Sequence, residues 1–330
     1  MTSRERVKRA IAFEGPDRVP VVFHCFGESD IEGMGPGGEA SPKHAGESLD
    51  EFGCRWDKVD EDKTGIRNMG QVKGHPIKTR DDLMNYQWPD YTRPERMAHL
   101  PEQLGAFEKV EKYVFFGLGN TLLERAWMMR GMEELFLDMI EDPTWAHELL
   151  GGIFKTRWDA LNQLAPYAGR IDAIYWGDDW GTQNALLISL PMFREFYKPL
   201  YAKLFARAQE FGMANVLHSC GQITEAIDDF LEIGLHVVDM EQPKATGIDM
   251  LSNRFQGRIC FFCPVDIQRT LPYGTKEEIE AEARELIEKL GTPKGGFIAS
   301  DYANHPAIGV PDEKVFWSYE AFKRYGVYKA

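Results

Sequence analysis

The chain has 330 residues, 43% of them hydrophobic, enough for a sizeable core in one large α/β domain or two smaller ones. Against 38 basic residues stand 52 acidic ones, and the resulting net charge of −14 disfavours nucleic acid and anionic membrane as partners. No apolar run reaches the length of a membrane span, the N-terminus is no signal peptide, and five cysteines are an odd number for a disulfide framework, so a cytoplasmic protein with reduced thiols is expected.

Taken in order, Thr2-x-x-Glu5 reads as a capping box ahead of Val7, Ala10, Ile11 and Phe13 at helical spacing, and Gly15-Pro16 stops that helix. Val19 to His24 reads as a buried strand. The Gly-rich segment from Gly27 to Gly46 is too long for an ordinary connector and reads either as a cover over a site or as a plain surface loop. Cys54 to Val59 is the next strand candidate, Gly65 to Ile77 could hold a hairpin, and two polar helices fill roughly 80–110. Alternation is then plain. Tyr113 to Gly117, Asp172 to Trp176, Asn215 to His218, Val237 to Met240, Arg258 to Phe262 and Gly296 to Ala299 are strands, with helices between them. Eight strand candidates, nearly all followed by helices, predict a (β/α)8 TIM barrel, a single domain over 1–330 with an N-terminal helix. A doubly wound open sheet is disfavoured because no Gly-rich phosphate turn follows the first strand.

The most informative stretch is Asn215-Val216-Leu217-His218-Ser219-Cys220-Gly221, which reads as strand, turn and the approach to a helix. Residues i and i+2 of an extended segment point to one side, so His218 and Cys220 form half of a zinc site at a strand's carboxyl end. In a barrel, chemistry gathers at those ends. The other ends carry His24 and Cys25, Asn120, Asp178-Asp179-Trp180 with Gln183, Glu241 and Gln242, Cys263 and Asp266, and Asp301 with His305. Asp178 and Asp179 read as paired acids, metal ligands or a helix N-cap, and two adjacent carboxylates exceed what a cap requires. Cys260 and Cys263 have C-x-x-C spacing, but on a strand they face opposite ways, so Cys260 is read as packing and Cys263 as facing the mouth. His99, His147 and His236 read as ordinary surface or core histidines.

Several motifs together resemble the uroporphyrinogen decarboxylase superfamily and, within it, the corrinoid-linked methyltransferase branch. They are Ser3-Arg4-Glu5-Arg6-Val7 with Asp17-Arg18-Val19-Pro20, Gly177-Asp178-Asp179-x-Gly181-Thr182-Gln183, His218-Ser219-Cys220-Gly221, and Gly295-Gly296-Phe297-Ile298. The resemblance implies zinc held by His218, Cys220 and a third ligand, and methyl transfer between a small methylated substrate (ether, amine or thiol) and the corrinoid of a separate protein. The later cysteine of that branch is missing, since Ser300-Asp301-Tyr302 stands there, leaving Cys263, Asp301 and His305 as candidates. Catalytic roles then fall to Asp178, Asp179 and Glu241, and substrate contacts to His24, Asn120, Trp180, Gln183 and Gln242. No Asp-x-His-x-x-Gly corrinoid segment occurs, because Val22 and Val216 replace the aspartate, so the corrinoid is expected to arrive on a partner protein. A homodimer stays open. The decarboxylase branch carries arginines after its first strand, whereas Cys25 to Asp30 has none, so decarboxylation of a polycarboxylate is the second reading, beside a lyase on a small acid. A binding subunit that has lost catalysis is the third.

Overall fold

The computed structural model describes residues 1–37, 48–58 and 70–328. Eight parallel strands form the barrel: β1 (Val21–Phe23), β2 (Ile31–Met34), β3 (Tyr113–Asn120), β4 (Ala173–Gly177), β5 (Ala214–His218), β6 (Val237–Asp239), β7 (Cys260–Cys263) and β8 (Phe297–Ser300). Each pairs in parallel with its chain neighbour from β2 to β8, and β1 returns to pair with β8. The (β/α)8 barrel is thus the observed fold. No helix among the described residues is long and apolar enough to cross a membrane.

The seam between β1 and β2 is closed by one residue. Asp30 donates its backbone N–H to the Val21 carbonyl at 2.8 Å, and its carboxylate accepts the Val21 N–H at 2.9 Å. The same buried carboxylate takes Arg6 at 2.7 Å, Arg18 at 2.8 Å and the Ser3 hydroxyl at 2.8 Å. Burial alone would raise its pKa, but the Val21 N–H and the Arg18 guanidinium outweigh that and hold it below the ordinary value. Helix Ser3–Ala12, capped by Thr2 as its sequence indicates, therefore lies locked against the amino-terminal end of the barrel.

Two expectations need correcting. The second barrel strand is Ile31–Met34, inside the Gly-rich segment, where Gly33 pairs with Phe115. Gly38 to Gly46, the rest of the expected cover, lies outside the described residues. Cys54 to Val59 is not a barrel strand: Arg55–Lys58 joins Ser48–Leu49 and Gly70–Gly74 in a separate antiparallel sheet. Arg55, Trp56 and Asp57 are each only half-buried, unlike barrel strands buried on both faces. Within the stretch expected to hold a hairpin, Gly70–Gly74 is a strand whose partner is Arg55–Lys58, and Gly65 to Met69 lies outside the described residues.

Strand parity divides the core in two. Phe115, Ala173, Val216, Val237, Cys260 and Phe262 fill the barrel interior, while Phe116, Trp176, Leu217, Val238, Phe261 and Cys263 pack outward under the helices. Carried forward along β5 and β6, the same parity sends His218, Asp239 and, two residues further, Glu241 into the mouth.

Candidate metal centre in the barrel mouth

β5 ends in His218, and Cys220 follows on the same side two residues later. The backbone then turns at Gly221, whose φ of +79° suits glycine. A Cβ there would lie 2.4 Å from the Gly181 carbonyl carbon, so the β4 and β5 loops meet backbone to backbone. The Gly181 N–H donates to the Cys220 carbonyl and the Gln222 N–H to the Thr182 carbonyl, at 3.2 and 2.7 Å. This contact swings Asp179 over the His218–Cys220 pair. Asp179 Oδ1 accepts the Cys220 N–H at 2.7 Å and lies 3.6 Å from His218 Nε2, which in turn lies 3.9 Å from Cys220 Sγ.

His218 Nε2 or Nδ1, Cys220 Sγ and an Asp179 oxygen all fall within 4.8 Å of one another. Donors on a tetrahedral zinc ion, at Zn–N and Zn–S lengths of ~2.1 and ~2.3 Å, stand roughly 3.5 Å apart, so the spacing fits. The behaviour of the side chains agrees with the geometry. Burial drives the Cys220 thiol up to about 11, with the Asp179 charge adding to it against the His218 hydrogen bond. Burial likewise raises Glu241 to about 7 and Glu124 to about 8, the latter helped by Asp179 and Asp178. Burial would lower His218, but its hydrogen bonds to Asp239 and Cys220 prevail and raise it. Groups crowded into one mouth that all hold protons this tightly are groups a divalent cation would relieve. Imidazole, thiolate and carboxylate together suit zinc.

Behind the donors, His218 Nδ1 meets Asp239 Oδ2 at 3.1 Å, leaving Nε2 toward the mouth. This is the carboxylate–histidine support usual for metal-bound imidazole. Glu241 Oε2 lies 3.8 Å from Cys220 Sγ, and Gln242 Oε1 accepts the Gly221 N–H at 3.0 Å. Asn120 donates to Glu124 Oε2 at 2.9 Å, and the Tyr302 hydroxyl sits within electrostatic reach of Glu241, Cys220 and His218.

Other expected residues are placed elsewhere. Cys263 is fully buried on the outward face of β7, and Cys260 is the inward one, so the reading of that pair is reversed. Cys260 lies level with inward-facing Val237 of β6, and three residues on Cys263 takes the opposite face. Asp301 accepts the Cys25 thiol at 3.1 Å and buried His305 pairs with Asp312 at 2.8 Å; neither joins the group around His218. Asp178 is wholly buried. Its carboxylate accepts the backbone N–H groups of Leu122, Leu123 and Glu124 at 2.8–2.9 Å and the Tyr201 hydroxyl at 2.5 Å, capping the helix that follows β3. Trp180 is buried against Phe193 and Tyr197, with ring centroids 5.0 and 4.9 Å away, and offers no face to a substrate. Gln183 lines an open groove at the rim with Asn184 and Lys244, and His24 is exposed just after β1.

Sequence reading missed Glu124, Tyr175, Asp239 and Tyr302. Asp239 left a signal, an acid two residues after Val237 in an apolar strand, whereas Glu124 stands in an ordinary helix start.

A methyltransferase from Methanosarcina mazei superposes with a TM-score of 0.69 at 19% identity, covering 98% of this chain and 99% of that one, a likeness of fold. Native xylanase 10B from Thermotoga maritima (TM-score 0.47, 9% identity, 98% of each chain) and 3-keto-D-glucoside 4-epimerase from E. coli (0.43, 14%, 67% of this chain and 84% of that one) are too distant to bear on function. No curated protein matches the chain in sequence. The uroporphyrinogen decarboxylase (URO-D) family does match, over residues 68–324, and with most of its length accounted for the chain belongs to that family.

Proposed function

We propose that this protein is a zinc-dependent methyltransferase that moves a methyl group between a small methylated substrate (ether, amine or thiol) and the corrinoid of a separate protein. The observation that carries the reading is the convergence of His218, Cys220 and Asp179 on the inner side of the barrel mouth. The likeness of fold to a methyltransferase supports it. So does the character of the mouth. Asp179 and Asp239 flank His218, a setting unfavourable to a polycarboxylate, and no arginine lies between Cys25 and Asp30 to offset them. Decarboxylation of a tetra-acid is disfavoured on the same ground.

His218, Cys220 and Asp179 would hold the zinc, which when bound supplies a Lewis acid that acidifies a thiol or polarises a heteroatom. The chain's own contribution is positional. Asp239 accepts from Nδ1 of His218 and so keeps the Nε2 lone pair aimed at the mouth. The fixed turn at Gly221 holds Cys220 beside it. Glu241, raised by burial to about 7 and with Oε2 3.8 Å from Cys220 Sγ, exchanges its proton near neutral pH and in its ionised form can take one from an incoming thiol. Methyl transfer needs two reactants in line, and the barrel mouth confines their approach.

The test is zinc stoichiometry on wild type beside His218→Ala and Cys220→Ala, joined to spectroscopy of an added corrinoid protein. One zinc in wild type, lost in both variants, and a corrinoid spectral change that requires a methylated substrate are expected. Unchanged metal in the variants, or tetrapyrrole decarboxylation by the isolated chain without any corrinoid response, would move the protein to another activity.

A further inference from the structure

We propose that Tyr175 is a positioning residue for this site: its hydroxyl pins the Asp239 carboxylate against His218 and so selects the imidazole nitrogen offered to a metal. The inference rests on the zinc reading above. Tyr175 and Asp239 lie on β4 and β6, the two strands flanking β5, and in register Tyr175 is level with Val216 while Asp239 is level with His218. The Tyr175 side chain therefore rises from one layer below. Its hydroxyl donates to Asp239 Oδ2 at 2.5 Å, the same oxygen that His218 Nδ1 meets at 3.1 Å.

Packing accounts for the ring but not for the hydroxyl. The Tyr175 ring stacks on Phe115, with centroids 5.8 Å apart and planes 29° apart, and Phe115 meets Phe262 edge-on at 6.3 Å. At this level the barrel interior is built of aromatic rings, and phenylalanine would fill the place of Tyr175 as well. The oxygen, by contrast, stands beside a carboxylate in a mostly apolar layer, where a hydrogen bond to a charged acceptor is strong and well directed. The ring also lies 6.2 Å from the His218 ring at 26°, a stacked contact that restricts imidazole rotation. Among the described residues, the hydrogen bonds to the Asp239 carboxylate come from Tyr175 and His218. Without the hydroxyl, the carboxylate is free to turn away from Nδ1, and the imidazole loses the partner that fixes its tautomer.

The experiment measures zinc affinity, by competition with a chromophoric chelator, and the absorption spectrum of the cobalt(II)-loaded protein. It compares wild type, Tyr175→Phe, Asp239→Asn and the double variant. Tyr175→Phe is expected to fold with a modestly lower unfolding midpoint, weaken zinc about tenfold and change the cobalt spectrum, the low end of what outer partners contribute. In the Asp239→Asn background the same substitution should have no further effect, because the two groups act as one unit. Wild-type zinc affinity in Tyr175→Phe, or the same fold-loss in both backgrounds, would overturn the proposal while leaving the metal site standing. Failure of the wild-type protein to bind zinc would overturn the metal reading and this inference with it.

Discussion

Asp178 and Asp179 are adjacent in the chain, yet their carboxylates serve opposite sides of the barrel wall. Asp178 Oδ2 accepts the Leu123 N–H at 2.9 Å beneath the helices, while Asp179 Oδ1 accepts the Cys220 N–H at 2.7 Å in the mouth. Extended backbone at the end of β4 turns successive side chains to alternate faces. Their substitutions should therefore separate cleanly. Asp178→Ala leaves buried N–H donors without an acceptor and should cost about 2–4 kcal/mol in urea unfolding. Asp179→Asn should lie within about 1 kcal/mol of wild type yet lose zinc affinity at least tenfold. Equal loss of stability in the two variants would show that both are structural.

Cys263 gives the converse test of the ligand set. It packs outward, wholly buried, so Cys263→Ala should keep full zinc stoichiometry and cost roughly 1 kcal/mol of stability. Cys220→Ala should lose the metal with little change in unfolding of the metal-free protein. Loss of zinc from the Cys263 variant would restore that cysteine as a ligand.

Gly221 holds the site by what it lacks. With φ at +79° and a would-be Cβ 2.4 Å from the Gly181 carbonyl carbon, Gly221→Ala must push the β4 and β5 loops apart. A destabilisation of about 2–4 kcal/mol is expected, with weakened zinc binding because Asp179 and Cys220 ride on the separated loops. An alanine variant with unaltered metal affinity would show that the loops have room to adjust.

Asp30 should give stability an acid-dependent term. Its folded-state pKa lies below the ordinary 3.8, so its contribution is present above that value and is lost as pH falls through the folded value. Asp30→Asn should therefore be less stable than wild type by about 3 kcal/mol at neutral pH, and the gap should close only in strong acid. Denaturant unfolding across an acid series reads this directly. A gap independent of pH would remove the charge of Asp30 from the account.

Much of this protein was legible in the one-dimensional pattern. The barrel follows from apolar runs alternating with helices, because parallel strands buried on both faces must read as such runs. His218 and Cys220 follow from their i, i+2 spacing at a strand end, and Asp179 was visible as one of two adjacent acids. What tertiary structure alone decided is which residues share a face and which loops meet. The second barrel strand lay hidden in a Gly-rich segment because Ile31–Met34 is short and gains its identity from pairing with β3. The facing of Cys260 and Cys263 depended on a register set by neighbouring strands, which spacing leaves undetermined. Glu124, Tyr175 and Asp239 reach one mouth from the helix after β3, from β4 and from β6, with more than a hundred residues between the first and the last. Only closure of the barrel brings such distant side chains within a hydrogen bond or a Coulomb radius of His218.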